Sequence, residues 1–241
     1  MTTSRPPVAL SACRKRAQLF LYATIALAML LLMLLWVMPK DDATLLVSTT
    51  TPEARPETGP PWRLGPADAR FTIVLYADLE CPFCKAYYPI LKAWIAGNPE
   101  ANLQWHHLPL PMHEPAATEL ARFAECLGET GGHAAFFEAV GWLYQHTRGN
   151  GQGLPVGLHH PGTTPTVQVC LDSDRPQAIV RAQAEEGVHA GVNATPSLRL
   201  VDNQTGQSLL LQGPVEGDAL LSAMDLLLED TPVPAPPVSA K

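Results

Sequence analysis

The chain has 241 residues, 46% of them hydrophobic, and a formal net charge of −7. That length buries one core of ordinary domain size, and the acidic balance leaves no basic footprint for nucleic acid. Five cysteines and 24 prolines are unevenly spread, so their positions carry the argument.

In chain order, Arg14, Lys15 and Arg16 precede an apolar run from Ala17 to Met38, and Lys40, Asp41 and Asp42 follow it. A membrane-spanning helix needs about 20 residues. The positive side is retained in the cytoplasm, so residues 1–16 are expected there and the rest of the chain outside. A cleaved signal peptide is the competing reading. Its apolar core runs only about 7–15 residues and ends at a small-x-small site, which does not follow Met38. The expectation is one uncleaved N-terminal transmembrane helix over 17–38. Residues 39–61, rich in Thr and Pro, predict a flexible linker. One domain over 62–230 and a Pro-rich tail over 231–241 complete the chain.

The β-branched and aromatic run Phe71–Tyr76 predicts a strand. Cys81-Pro82-Phe83-Cys84 follows. Then Tyr87, Tyr88, Ile90, Leu91, Trp94 and Ile95 recur at helical spacing, with Gly97 as a stop. A helix N-terminus stabilises a thiolate, and a thiolate attacks disulfides. Strand, Cys-x-x-Cys and helix in succession therefore predict a redox dithiol. Half of a zinc site is the alternative; it needs two more ligands. The adjacent pairs His106-His107 and His159-His160 lack the spaced arrangement such sites carry. Lys85 after Cys84 excludes c-type haem attachment. Pro82 suits a first helical turn, where its missing N–H is not needed.

Further on, Asn102–Leu108 predicts a strand and Glu114–Leu127 a helix, with Gly128–Gly132 as its break. Ala134–His146 predicts a second helix, Gly149–Gly162 a loop, and Pro176–His189 a third helix. Ser197–Val201 and Ser208–Leu211 predict a hairpin, and Glu216–Glu229 a closing helix. Trp94, Trp105, Phe136, Phe137 and Trp142 are assigned to the core. His159 and His160 are expected in solvent, and no metal site is assigned. The order predicts an α/β fold: a small mixed sheet with a helical insertion. Cys13 falls on the cytoplasmic side of the anchor. The other four cysteines fall where disulfides persist. With Cys81 and Cys84 taken as the dithiol, Cys126 and Cys170 are either bonded to each other or two separate buried thiols.

Asp78-Leu-Glu-Cys-Pro-Phe-Cys84 and Gly191-Val-Asn-Ala-Thr-Pro-Ser197 resemble the two signatures of DsbA-like thiol-disulfide oxidoreductases, across about Leu64 to Leu228. The resemblance implies a thioredoxin-like fold with an α-helical subdomain inserted over about 113–190. It implies Cys81 as an exposed nucleophile, Cys84 as the buried resolving cysteine, and Pro196 as a cis-proline. Thr195 before it presents its backbone to an extended substrate. Cys126 and Cys170 stand where some members carry a structural disulfide. Phe83 cannot donate a hydrogen bond to the Cys81 thiolate, so a milder oxidant is expected than in members with histidine there. Two positions depart from the family pattern. Leu75 stands where members often carry a buried acid, which leaves water or a neighbouring carboxylate, Asp78 or Glu80, for proton relay; ordinary loop acids are the other reading of that pair. Arg199 stands in a strand position that is usually apolar, and marks an edge or a groove.

The resulting expectation is a thiol-disulfide oxidoreductase anchored in a bacterial inner membrane and facing the periplasm, without a cofactor. Its partners are exported cysteine-containing proteins and a redox partner that reoxidises or reduces the dithiol. Oxidase is favoured over isomerase or reductase. A non-catalytic chaperone of the same fold and a metal carrier using Cys81 and Cys84 are the alternatives.

Overall fold

The computed structural model describes residues 59–229 together with Met29. The expected cytoplasmic segment with Cys13, the 17–38 span, most of the linker and the 231–241 tail lie outside the described residues. Among the described residues no helix is long and apolar enough to cross a membrane.

The elements are β1 (Arg63–Leu64), β2 (Phe71–Ala77), α1 (Pro82–Gly97), β3 (Ala101–His107), a 3₁₀ turn (Pro111–His113), α2 (Ala116–His146), α3 (Pro165–Leu171), α4 (Arg175–His189), β4 (Ser197–Asp202), β5 (Ser208–Gln212) and α5 (Gly217–Glu229). The sheet order is β1-β3-β2-β4-β5. β2 and β3 are parallel and joined by α1, while the other pairings are antiparallel. This is the mixed sheet the strand and helix order predicts.

β2 is the central strand and every residue of it is buried. Helices cover both of its faces, which is why it reads as a continuous apolar run rather than an alternation. Ile73 and Leu75 join the main core, with Leu91 and Ile95 of α1 and Leu220 and Met224 of α5. Val74 and Tyr76 point the other way and form a smaller cluster with Leu108 and Val192. The sheet pleat places alternate residues on opposite faces. Trp105, Phe136 and Phe137 are buried as expected, and Trp94 and Trp142 pack partly buried on the same core.

The inserted helices differ from expectation in three places. α2 runs from Ala116 to His146, and its only non-helical residue is Gly132, at φ 75° and ψ −164°. Gly128 stays helical: a β-carbon there would lie 2.5 Å from the Trp62 ring. That glycine serves close packing, not a turn. The 3₁₀ turn Pro111–His113 and helix α3, capped by the Thr164 hydroxyl accepting from the Val167 amide, lie in segments the periodicity left unassigned. α3 carries Cys170, which is bonded to Cys126 of α2 with Cα atoms 5.6 Å apart. Of the two open readings for these cysteines, the structure has the bonded one.

Arg199 does not mark an edge. Strand β4 lies between β2 and β5, with Arg199 opposite Val74 on one side and Leu210 on the other. Its guanidinium donates to Glu186 of α4 and lies 5.8 Å from the centre of the Tyr76 ring. Glu186 also accepts from the Tyr76 hydroxyl at 3.1 Å. A charge is tolerated under the helix because it is paired there.

Candidate active site

Strand β2 ends at Ala77, and the turn Asp78-Leu79-Glu80 leads into α1 with Cys81 as its N-cap residue. Pro82 occupies the first helical turn, as its missing N–H allows. The Cys81 carbonyl accepts the first helical bond, from the Lys85 amide at 3.0 Å. Cys81 and Cys84 are free thiols on the first turn, both facing inward.

The two thiols are driven apart in acidity. Cys81 is pulled down to about 5, first by a hydrogen bond from the Cys84 side chain; the Thr195 side chain and the backbone amides of Cys84 and Phe83 add to the effect against the opposing pull of burial. Cys84 is pushed far up, chiefly by burial and then by its bond and charge contact with Cys81. One sulfur therefore carries the charge and its neighbour holds the proton. The amides at a helix start have no partner within the helix, which is why they serve a sulfur anion there.

Thr195 and Pro196 close the site from the opposite side. The bond between them is cis. The Thr195 carbonyl lies 3.4 Å from Cys81 Sγ, the sulfur donating while protonated. The Thr195 hydroxyl is buried without a hydrogen-bond partner of its own, and its place beside the dithiol favours the charged form of both sulfurs. This contact corrects one expectation: Cys81 is not exposed but only 3% accessible. The loop before β4 lies across it. Phe83, by contrast, is 68% exposed beside the dithiol.

Asp78 and Glu80 are not ordinary loop acids. Each is 1% accessible. The Asp78 carboxylate accepts from the Glu80 amide at 2.7 Å, the Leu110 amide at 2.8 Å and His113 Nδ1 at 2.8 Å. The Glu80 carboxylate accepts from the Thr147 hydroxyl, and from the Gly153 amide at 3.0 Å. The Glu80 carbonyl accepts from the Asn150 amide at 2.8 Å. The Asp78 carbonyl receives the Cys81 amide at 3.1 Å and the Tyr144 hydroxyl at 3.2 Å. The two acids thus clamp the turn before Cys81 to the segments 110–113 and 147–153; their carboxylates bond to neither sulfur, while the Asp78 backbone favours the charged form of Cys84. Leu75 faces the main core. His113, Tyr144 and Thr147 were missed from the sequence because they lie 35, 66 and 67 residues from their partners, with no local pattern to join them.

The histidines considered for metal lie elsewhere. His106 bonds to Glu186 at 3.0 Å, His107 accepts from the Trp105 indole at 3.0 Å, and His160 accepts from the Gly162 amide at 2.9 Å. His159 is exposed, while His160 is half-buried against Phe123 and Trp142. Among the described residues no three His, Cys, Asp or Glu side chains cluster as metal ligands.

Residues 57–212 match the Thioredoxin family. The fold is similar to that of Pseudomonas aeruginosa DsbA2, with 42% identity, a TM-score of 0.68, and coverage of 72% of this chain and 97% of that one. It is also similar in fold to a thioredoxin-like oxidoreductase of Silicibacter pomeroyi, at 21% identity and a TM-score of 0.54, over 69% of this chain and 91% of that one. Wolbachia pipientis alpha-DsbA2 shares the fold at 16% identity and a TM-score of 0.54, over 69% of this chain and 86% of that one. Two curated proteins match part of the chain. The Na(+)/H(+) antiporter NhaA 3 of Salinispora tropica is 37% identical over 34% of this chain, and NhaA 1 of Salinispora arenicola 31% identical over 55%. The chain spans only 12% and 20% of the length of these two relatives.

Proposed function

From the premise that this chain belongs to the DsbA-like thiol-disulfide oxidoreductases of the thioredoxin family, we propose that it oxidises cysteine pairs in exported polypeptides. The observation that carries the reading is the opposed acidity of Cys81 and Cys84 beside the Thr195 carbonyl. The antiporters share only a segment with this chain, and no transport activity is carried over from them.

In the proposed reaction a substrate thiolate attacks Cys81 of the oxidised pair. The Cys81–Cys84 bond breaks, a mixed disulfide forms on Cys81, and Cys84 leaves and takes a proton, which its raised affinity favours. A second substrate thiolate then attacks the substrate sulfur of the mixed disulfide and expels Cys81 as a thiolate. The substrate has lost two electrons and two protons. The protein has gained both electrons and one proton, and the other proton goes to solvent at neutral pH. A low-affinity thiolate is a good leaving group, and stabilising it in the reduced form makes the pair more oxidising. An external thiol oxidant, membrane-bound or soluble, restores the disulfide.

Anchoring through residues 17–38, with the domain in the periplasm of a bacterium, is part of the same proposal and rests on the sequence alone. So do the domain limits and the roles given to Thr195 and Pro196 as the wall of a substrate groove. Reduction or isomerisation of disulfides by the same site is the second reading, and a non-catalytic peptide-holding module the third. The test is the equilibrium of the Cys81–Cys84 pair with glutathione. A pair far more oxidising than thioredoxin, at about −270 mV, supports the oxidase. A potential near thioredoxin's speaks for a reductase. Unchanged function after replacing both cysteines by serine speaks for the holding module.

A further inference from the structure

A cavity of about 280 Å³ lies between α1 and α2, lined by Lys85, Tyr88 and Lys92 of α1 and by Gly141, Tyr144 and Gln145 of α2. No carboxylate is part of its lining. Residues 59–229 contain only two lysines, Lys85 and Lys92, and both line this cavity. They stand seven residues apart, two turns of helix, which puts them on one face about 10 Å apart along the axis.

Neither ammonium meets an acid. The Lys85 ammonium donates to the Thr147 carbonyl at 3.3 Å, which leaves two of its three donors for another group. The Lys92 ammonium lies 6.0 Å from the centre of the Tyr88 ring. Among the described residues neither lysine pairs with a carboxylate, whereas Arg70, Arg175, Arg181 and Arg199 each do. In a chain of net charge −7, two such cations at one cavity are a local reversal of sign. There is room between them: a β-carbon on Gly141 would meet no atom within 4 Å. Tyr88 and Tyr144 are buried and offer ring carbon to the stem of an incoming side chain.

We propose that this cavity is a recognition site for an acidic segment of a partner polypeptide, whose Asp or Glu side chains pair with Lys85 and Lys92. Charge complementarity selects the anion, and the spacing selects a polypeptide. Acids on one face of an extended chain recur at about 7 Å and about 13 Å, which brackets the separation of the lysines. A single carboxylate reaches one lysine only. The cavity is also smaller than the roughly 300–1,000 Å³ that holds a whole small ligand. It lies close to the dithiol in the chain: Lys85 directly follows Cys84, four residues and about 6 Å of helix beyond Cys81. Tyr144 donates to the Asp78 carbonyl that also receives the Cys81 amide. The inference goes beyond the disulfide-exchange reading, because pairing with the lysines involves neither sulfur; it adds a class of partner.

The test is binding to the purified full chain, read as the fluorescence anisotropy of a labelled cysteine-free peptide. One peptide carries Glu at three alternate positions, and a second carries Gln at the same three. We expect the Glu peptide to bind about tenfold tighter at about 0.01 M salt, and the advantage to vanish at about 1 M, as exposed ion pairs require. Lys92→Gln and, independently, Gly141→Leu, which fills the cavity from α2, bring the two affinities together. Equal affinities in the wild type, or a preference undiminished in either variant, overturn the proposal. So does displacement of the Glu peptide by an equal concentration of succinate, which would give the cavity to a small dicarboxylate. None of these readouts involves a thiol, so the disulfide-exchange reading stands or falls separately, on the oxidation of dithiothreitol by the disulfide form.

Discussion

The carbonyl of Thr195 lies 3.4 Å from the sulfur of Cys81, across 114 residues of chain. The sheet register explains the meeting. β2 and β4 run antiparallel with Tyr76 opposite Ser197. Continuing both strands past that pair brings the turn after β2 alongside the residues just before β4. The Thr195 backbone is thereby set beside the Cys81 sulfur, where the proposed substrate groove would have its wall.

The first prediction concerns the Thr195 hydroxyl. It favours the Cys81 thiolate from a buried position, so Thr195→Val removes that donor at nearly constant shape. Cys81 should titrate about one unit higher than its present value near 5. The rate of alkylation by iodoacetamide as a function of pH measures this. An unmoved midpoint would show that the hydroxyl does not reach the sulfur.

The second concerns stability against pH. In the reduced protein Cys81 is held near 5, below its ordinary value of 9.0. A depressed value means that the unfolded state binds a proton the folded state does not, throughout that interval. Stability from Cys81 therefore rises with pH from about 5 to 9 and is lost as pH falls through 5. Cys84 has the opposite sign: its raised value gives stability that is present below 9 and declines above it. The oxidised protein has neither titration. The difference in Tm between reduced and oxidised forms should shift in favour of the reduced form from pH 5 to 9. A difference flat across that window would contradict the charged Cys81.

The third concerns the clamp under the motif. Asp78→Asn places an amide where the carboxylate takes three donors. At least one donor is left facing another donor in a buried site, a loss of about 2–4 kcal/mol. Urea unfolding of the oxidised protein reads this loss directly. The turn before Cys81 should loosen too, seen as faster amide exchange at residues 78–81 and at Leu110, Met112 and His113.

The fourth separates structural from reactive sulfur. Replacing Cys126 and Cys170 together by alanine opens a loop closed across 44 residues. The chain-entropy estimate for that length is about 4 kcal/mol of lost stability. The alkylation rate of Cys81 at fixed pH should stay the same, since the bond joins α2 to α3, away from the dithiol. A large change in that rate would mean that the insertion transmits strain to the site.

Much of this was written locally. Phe71–Ala77 alternates its β-branched and aromatic residues between two covered faces, and the Cys-x-x-Cys spacing puts two sulfurs on one helical turn. Those are properties of a few adjacent residues, so periodicity and spacing carry them. Gly128 shows where local reading stops. A glycine run looks like a helix break, yet the residue is helical because the Trp62 ring occupies the space of its side chain.

The sequence by itself determined the chemistry available here: two thiols at a helix start, a Thr-Pro pair before a strand, and two further cysteines with open pairing. Only the tertiary structure decided that Cys81 is covered rather than exposed, that Asp78 and Glu80 are buried clamps, that Arg199 is paired inside the sheet, and that Cys126 meets Cys170. Each of those outcomes depends on groups far apart in the chain. Burial and hydrogen bonding between them follow from strand register and helix packing, which no short window of residues encodes. The dithiol was legible because its parts are neighbours in sequence. Its environment was not, because the fold assembles that environment from distant segments, 110–113, 144–153 and Thr195.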